Sequence, residues 1–302
     1  MTEPLRQRRQ LSWRKMKKQQ IVETESLLQS HERWCMNACN RYINRSSKED
    51  NVWLLHNKAG IAAGSHATEI FALMVHAKQS LLPVLCGQEN IPPPHFLRGL
   101  FGTAPIHSLQ GKKEDVLIME IALEKIGLYA AEKIDYDLMC IDCPPENFDT
   151  ARLAGRLSGL IIRKPQSSDM DTLVALQAAY EQEEVVPSAS EFNFAASRLN
   201  TERIFLNEQM LVAEMSGRLI GKINTNASTF SRYQVGGVYV SPDYRGRGIA
   251  CRMAGEFIAG LVAQGRGISL FVRKSNPCAR RVYQRIGFEI LGDYRIDYFS
   301  DT

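Results

Sequence analysis

One stretch constrains the chain more than any other, because it passes from a strand pattern through a glycine turn into a helix pattern. It reads Val235-Gly-Gly-Val-Tyr-Val-Ser-Pro-Asp-Tyr-Arg-Gly-Arg-Gly-Ile-Ala250. β-Branched and aromatic residues predict a strand up to Val240, and the following Ser-Pro-Asp predicts a turn. Glycines at a strand-to-helix turn let backbone N–H groups converge on an anion, and the helix start adds its dipole. Apolar residues then recur at helical spacing at Ile249, Met253, Phe257 and Leu261.

Two arginines in this loop, Arg245 and Arg247, add charge that suits a pyrophosphate. The loop has no Lys-Ser or Lys-Thr after Gly248, so it does not match a nucleotide P-loop, and it lacks the third glycine of a dinucleotide fingerprint. It resembles the pyrophosphate loop of the GNAT superfamily of acyl-CoA-dependent N-acyltransferases, Arg/Gln-x-x-Gly-x-Gly/Ala. Here the loop reads Arg245-Gly-Arg-Gly248-Ile-Ala250. An ordinary β–turn–α connection with surface arginines is the alternative.

A second motif downstream strengthens the resemblance. The strand-like Ile268–Arg273 is followed by Asn276, Ala279, Tyr283 and then Gly287-Phe288. This spacing is similar to the next GNAT motif, Asn-x-x-Ala-x-x-x-Tyr followed by Gly-Phe, and the interval of about thirty residues fits one helix and one strand. The resemblance covers the chain from about Leu160 to its last residue.

The resemblance implies an α/β (α+β) fold with a mixed, mostly antiparallel sheet, flanked by helices. Its central strands, Gly237–Val240 with a bulge and Ile268–Arg273, would diverge so that acetyl-CoA lies between them. Tyr283 would protonate the departing thiolate, a nearly balanced transfer for ordinary pKa values of about 10 and 8.5. The residues implied to hold the co-substrate are Val238, Tyr239, Val240, Arg245, Gly246, Arg247, Gly248, Ile249, Ala250, Asn276, Ala279 and Tyr283.

The attacking amine needs a base, because an amine of pKa about 10.4 is neutral in roughly one molecule in two thousand at pH 7. The C-terminal half holds no histidine, so a carboxylate, a tyrosine or solvent must serve. Glu181, Glu183 and Glu184 end a predicted helix, and Glu214 within a strand is an alternative; of these we name Glu183 and Glu184. Some relatives place a glutamate before the bulge, where this chain has Gln234, so the resemblance leaves the base open.

Length and the pattern of elements predict three segments in 302 residues. They are a basic helical extension (1–45), a smaller N-terminal α/β domain (46–155) and the GNAT domain (156–302). The order of elements in the second segment is loosely that of a degenerate GNAT repeat, which would face a substrate or partner. Its only candidate phosphate loop, Gly99-Leu-Phe-Gly102, lacks an arginine, so we predict no CoA there. Other expected elements are helices within 12–45 and strands at Ile204–Leu206 and Tyr294–Phe299, the latter after Gly287–Leu291.

Charge, cysteine content and hydropathy bound the function class. Net charge is +4, and residues 1–20 carry seven basic side chains against one acidic one. This arm holds only Trp13 for base stacking, so we predict no nucleic-acid function, although a nucleic-acid tether is one alternative. No apolar run approaches eighteen residues and no signal peptide is present, so we expect neither a membrane span nor export. Seven cysteines suit a reducing cytoplasm.

A zinc site is the alternative use of the cysteines. His31, Cys35 and Cys39 share a helix face and could combine with Cys140 and Cys143. We favour buried small hydrophobes instead and predict no metal.

The resemblance therefore predicts a cytoplasmic, two-domain N-acetyltransferase that transfers an acetyl group from acetyl-CoA to a primary amine by direct attack in a ternary complex. The acceptor would be a small molecule, an amino acid or a peptide, and a homodimer is possible. A catalytically silent acyl-CoA sensor or scaffold is the alternative, motivated by the unassigned base and the extra domain.

Overall fold

The computed structural model describes residues 11–46, 50–57, 69–101, 106–143, 157–185 and 192–299. The chain divides into two compact units, Met1–Tyr136 with Gly292–Thr302 and Asp137–Leu291. The boundary predicted between 155 and 156 lies outside the described residues and stays a prediction. Among the described residues, no helix is long and apolar enough to cross a bilayer.

The first unit is a mixed sheet with helices packed on it. Its strands lie in the order β1-β2-β3-β4-β5-β12, with the first half of β6 beside β12. Apolar side chains from α3, α4 and the strands form its core, which includes Leu81, Leu97, Leu109 and Met119. Its elements are β1 (Leu11–Lys15), α1 (Ile21–Ser30), α2 (Met36–Ile43), β2 (Asn51–Asn57), β3 (Ile70–Ala77), β4 (Ser80–Val84), α3 (Pro94–Phe101), β5 (Ser108–Lys112), α4 (Lys113–Glu124) and β6 (Glu132–Ile141).

The second unit is also a mixed, mostly antiparallel sheet. Its strands lie in the order β6-β11-β10-β9-β8-β7, where β6 contributes Asp137–Ile141. The apolar face of α7 packs on the sheet through residues such as Met253, Phe257 and Leu261. Its elements are β7 (Leu160–Arg163), α5 (Met170–Tyr180, continued by a π turn Glu181–Val185), α6 (Phe194–Asn207), β8 (Met210–Met215), β9 (Arg218–Ser228), β10 (Arg232–Val240), α7 (Ile249–Val262), β11 (Gly267–Arg273) and α8 (Pro277–Ile286). The last strand, β12 (Glu289–Tyr298), starts in this unit and belongs to the first unit from Gly292 onward.

Three local expectations were wrong. Residues 12–15, expected within a helix, belong to β1, because Leu11–Lys15 pairs antiparallel with β2 from Leu11↔Asn57 to Lys15↔Trp53. Residues Ile204–Leu206, expected as a strand, continue α6, where Ile204 is buried and Leu206 is 77% exposed. That one-sided burial is typical of a surface helix.

The third difference concerns the closing strand. Two expected strands, Gly287–Leu291 and Tyr294–Phe299, are one continuous strand, β12. Gly292 lies within this strand without interrupting it. The ring of Trp34 occupies the space of a side chain there, 2.6 Å from an added Cβ. The glycine is therefore explained by close packing rather than by a turn.

Candidate functional site

Strands β10 and β11 pair over a short length and then separate. They are parallel and in register at Arg232↔Gly267, Tyr233↔Ile268 and Gln234↔Ser269, and no described pair follows. On its other side, β10 shifts register against β9 between Gln234 and Val235, and again between Gly236 and Tyr239. Gly237 and Val238 therefore lie in a bulge beside the opening, which is the arrangement expected from the sequence.

Amide side chains occupy the space above the two glycines of the bulge. A Cβ on Gly236 would meet Nδ2 of Asn226, and one on Gly237 would meet Oδ1 of Asn224. Gly237 also has φ +59°, a conformation that L-residues rarely adopt. A side chain at either position would have to displace these amide groups.

The glycine loop between β10 and α7 has the backbone of an anion site. Gly246 and Gly248 adopt positive φ, 75° and 85°, and Gly248 is the residue that caps α7 before Ile249. The first N–H groups of α7 have no partner within the helix, so they point out of its start together with the positive end of the helix dipole. Such a helix start can hold phosphate groups.

Arg245 is held in place at this loop from both sides. Its Nε donates to the carbonyl of Val240 at 2.8 Å, and its two terminal nitrogens donate to the carboxylate of Glu183 at 2.8 and 2.7 Å. The hydrogen bond from Arg245 to Glu183 raises the pKa of the guanidinium, which stays charged. The pair is about 40% exposed on each side, so it orients the guanidinium more than it stabilises the fold.

Asn276 connects the second motif to the predicted base. Its Oδ1 accepts the N–H of Ala279 at 3.0 Å and so caps α8, while its Nδ2 donates to Oε1 of Glu184 at 2.9 Å. Burial raises the pKa of the Glu184 carboxyl. A carboxylate with a raised pKa accepts a proton more readily at neutral pH than an ordinary glutamate.

Tyr283 lies on the buried side of α8 and is 7% exposed. Its ring meets that of Phe288 edge to face, with centroids 5.7 Å apart. Burial, and then the neighbouring Tyr180 and Glu184, raise the pKa of its phenol well above the ordinary value. The hydroxyl makes no hydrogen bond to any described residue.

A cavity of about 550 Å³ opens between these elements. It is lined by every predicted site residue except Arg247, including both glutamates, Asn276 and Tyr283. Arg247 instead donates to the carbonyl of Asp243 at 3.0 Å and lies over the ring of Tyr244. Lining residues that the sequence did not single out are Tyr244, Cys251, Cys278, Val282 and Arg285.

Two other predicted possibilities lie away from this cavity. Glu214, the alternative base, accepts a hydrogen bond from Nε of Arg163 at 2.7 Å on β8. For the zinc alternative, the Sγ atoms of Cys35 and Cys39 are 3.6 Å apart. Among the described residues, however, no group of three or more His, Cys, Asp or Glu side chains could hold a metal ion.

Comparison with known proteins agrees with the architecture of the second unit. Residues 176–297 match a family model described as an acetyltransferase (GNAT) domain. An acetyltransferase of Sodalis glossinidius is 35% identical over 83 residues, which is 26% of this chain and 56% of the relative. An acetyltransferase of Yersinia pestis is 32% identical over 85 residues, 27% of this chain and 58% of the relative. The chain thus spans little more than half the length of these curated relatives.

Solved structures resemble the chain over nearly its whole length. The X-ray structure of a Drosophila protein has a TM-score of 0.60 at 13% identity and covers 96% of this chain and 99% of its own. A GNAT-family acetyltransferase of Colwellia psychrerythraea has a TM-score of 0.57 at 10% identity and covers 96% and 100%. At these identities the likeness establishes the fold, and it extends over both halves of the sequence.

Proposed function

We propose that the chain is an N-acetyltransferase that uses acetyl-CoA and a primary amine, since residues 176–297 match a family model described as an acetyltransferase (GNAT) domain. The observation that carries this proposal is the divergence of β10 from β11 after Gln234, with the predicted residues gathered around the resulting cavity. A small molecule, an amino acid or a peptide would supply the amine.

The residues at the opening fit the chemical groups of CoA. The loop glycines and the start of α7 offer N–H groups to the pyrophosphate, and Arg245 adds a fixed positive charge. The carbonyl of Val240 already accepts from Arg245, whereas Gly237 and Val238 lie out of register with β9. We therefore assign the contact with the pantetheine amides mainly to the carbonyl oxygen of Val238, which resolves part of the lack of ladder partners at the bulge.

Acetyl-CoA supplies an acyl thioester, whose acetyl group passes from sulfur to nitrogen as a C–N bond forms and the C–S bond breaks. Glu184 accepts the proton that the amine loses, directly or through a water, because its carboxylate lines the cavity and its pKa is raised. Glu183 is bound to Arg245 and keeps the guanidinium oriented.

Tyr283 stabilises the sulfur that is left behind. Its raised pKa means that full proton transfer to an ordinary thiolate is less balanced than the sequence suggested. We therefore propose that the phenol acts first as a hydrogen-bond donor to the developing thiolate and completes the proton transfer as CoA departs. Tyr283 lines the same cavity as Asn276 and Glu184, which supports this role.

We also propose a cytoplasmic location. The seven cysteines of the sequence are free thiols in the structure, with no disulfide among them, which is the usual state in a reducing compartment.

The test combines ligand binding with turnover. Millimolar acetyl-CoA should raise the melting temperature of the full chain, and mixing with a panel of amines should release CoA thiol. Tyr283→Phe should lower kcat by about 100-fold, the usual contribution of a general acid, with the Kd for acetyl-CoA within about twofold. Binding without CoA release across the panel would favour the silent sensor, and no binding at all would remove the proposal.

A further inference from the structure

Lys222, in the second unit, is a lysine with a fully buried side chain. It lies in the middle of β9 and is 0% exposed, among the largest fully buried side chains of the chain. No described carboxylate lies within ion-pair distance of its Nζ. Burial lowers its pKa from about 10.5 to about 7, against a smaller opposite effect of Glu181. Lysine is almost never buried without a partner, so its place here needs a reason.

Other groups facing Lys222 come from α5 and from β9 itself. Its Nζ lies 5.2 Å from the ring centroid of Tyr180, in cation–π contact. On its own strand it donates to Oδ1 of Asn224 at 2.8 Å, and Asn224 in turn donates to Oδ1 of Asn226 at 2.9 Å. The amine of Lys222 is thus held in one position by neutral groups.

The remaining hydrogen bond of Lys222 reaches the bulge. Nζ donates to the carbonyl oxygen of Gly237 at 2.9 Å. A Cβ on Gly237 would lie 2.7 Å from that nitrogen, so the glycine allows this close approach. Because a trans peptide is planar, the carbonyl of Gly237 and the N–H of Val238 point in opposite directions from the same peptide group. Lys222 therefore holds the far side of the peptide whose other residue, Val238, lines the cavity.

We propose that Lys222 is a positioning residue that acts through the Gly237–Val238 peptide, orienting and polarising it so that the N–H of Val238 donates more strongly to the thioester carbonyl oxygen of acetyl-CoA. The inference rests on the proposed function. A hydrogen bond at the carbonyl of an amide strengthens the donor at its N–H, by roughly 10–30% per bond. Donors fixed before the reaction begins are those that contribute most to acyl transfer.

A structural role alone would not require a lysine. Burial penalises the charged form of Lys222, and methionine has a similar volume without a charge. Lys222→Met is therefore expected to fold, while removing the hydrogen bond to Gly237. Lys164→Met is the matched control, since Lys164 is an exposed lysine of the same unit outside the cavity lining.

Two measurements separate positioning from general loosening of the fold. The first is the Kd for CoA and for acetyl-CoA by calorimetry, because CoA has the same pyrophosphate and pantetheine but no carbonyl oxygen at sulfur. The second is the infrared stretch of acetyl-CoA labelled with ¹³C at the thioester carbonyl, which reports the hydrogen bond to that oxygen directly.

For Lys222→Met we expect an unchanged Kd for CoA and a Kd for acetyl-CoA raised about threefold. The carbonyl stretch should move to higher frequency. The value of kcat should fall about tenfold, which is less than the fall caused by removing a whole hydrogen-bond donor. Lys164→Met should match the wild type throughout. Lys222→Gln, which keeps one uncharged donor, should lie between the two. If Lys222→Met does not fold, the Lys222→Gln spectra and affinities decide alone.

The outcomes distinguish a failure of the proposed function from a failure of the role of Lys222. A wild-type protein that binds neither CoA nor acetyl-CoA would overturn the proposed function and this inference with it. A wild-type protein that binds and transfers, with Lys222 variants whose carbonyl stretch and affinity ratio equal those of Lys164→Met, would overturn the role of Lys222 alone. Equal losses for CoA and acetyl-CoA would also overturn it, since they indicate a structural effect.

Discussion

The two halves of the sequence repeat one order of elements, β-α-α-β-β-β-α-β-α-β, from β1 to β6 and again from β7 to β12. In each half the fourth strand pairs with the fifth in parallel over a short length, at two positions for β4–β5 and three for β10–β11. Beyond those pairs the halves differ. In the first, Oδ2 of Asp115 accepts the N–H of Leu85 at 3.2 Å, and in the second a cavity of about 550 Å³ opens.

The residues responsible occupy matching places. Asp115 is the third residue of α4, and Ala279 is the third residue of α8. The carboxylate of Asp115 accepts a backbone N–H that has no partner in the neighbouring strand once the strands diverge. The methyl group of Ala279 cannot accept a hydrogen bond, so backbone groups at the matching place in the second half stay available to a ligand. β5 also lies close to β4 at Gly111, where an added Cβ would lie 3.3 Å from the carbonyl oxygen of Pro83. This close approach leaves little space between the two strands.

The helix starts differ as well. α7 follows the Arg245–Gly248 loop, whose glycines expose N–H groups, whereas α3 begins at Pro94 after Pro92 and Pro93. Proline has no N–H to offer an anion. Strand divergence therefore comes with the topology, and a few local residues decide whether it becomes a binding site. This supports the proposal that the first half is a GNAT-like repeat that has lost CoA binding.

The largest expected effect comes from exchanging the residue at the matching helix position. Ala279→Asp should raise the Kd for acetyl-CoA by about 100-fold, equivalent to about 2.7 kcal/mol, because a carboxylate would occupy the opening and repel the phosphates. Helix stability should not suffer, since an acidic residue is favourable in the first turn. Calorimetric titration of acetyl-CoA measures the effect.

Two controls test whether the charge and the location matter. Ala279→Ser adds a small polar group without charge and should change the Kd by less than about threefold. Asp115→Ala should leave one acetyl-CoA bound per chain, because α3 still starts at prolines. A second binding equivalent in Asp115→Ala, or wild-type affinity in Ala279→Asp, would contradict the comparison.

A smaller effect is expected at the helix starts. Arg245→Gln should raise the Kd for CoA by about 30-fold, or about 2 kcal/mol, the range of one charge-assisted hydrogen bond. The affinity should also depend less steeply on salt, since one phosphate contact is lost. Arg98→Gln, at an exposed arginine on α3, is the matched control and should bind CoA like the wild type. Equal effects of the two changes would show that α7 has no special role.

How far the sequence predicts this arrangement depends on the kind of interaction. The loop glycines and the Asn276-to-Tyr283 spacing are local, so both were found from the sequence and both line the cavity. Lys222 was missed. Alternation along β9 places it on one face with Asn224 and Asn226, but only the tertiary structure shows that α5 covers that face.

The same limit explains the other differences. The ion pair between Arg245 and Glu183 joins residues 62 positions apart, and nothing in either segment alone indicates it. The strand β1 depends on pairing with β2, which no propensity of residues 11–15 reveals. Likewise Asp115 was not recognised as closing the first half, because its partner Leu85 lies 30 positions away.

The smallest expected effect tests whether Asp115 closes the first half as a charged group. Burial raises the pKa of its carboxyl, so the folded state holds this proton to a higher pH than the unfolded state does. Above the folded pKa the ionised carboxylate therefore costs stability, and the cost disappears as pH falls through the folded pKa towards the unfolded value near 3.9.

Asp115→Asn keeps an oxygen for the N–H of Leu85 but has no charge. At pH 7 it should raise Tm by about 2–4 °C, on the order of 1 kcal/mol, and the difference should shrink on acidification. Melting curves of both proteins from pH 4 to 8 measure this, with Asp171→Asn, at an exposed carboxylate on α5, as the control for general charge effects. If the variant is less stable than the wild type at pH 7, the charge of Asp115 stabilises the first half. The cost of burying that charge is then smaller than its stabilising effect.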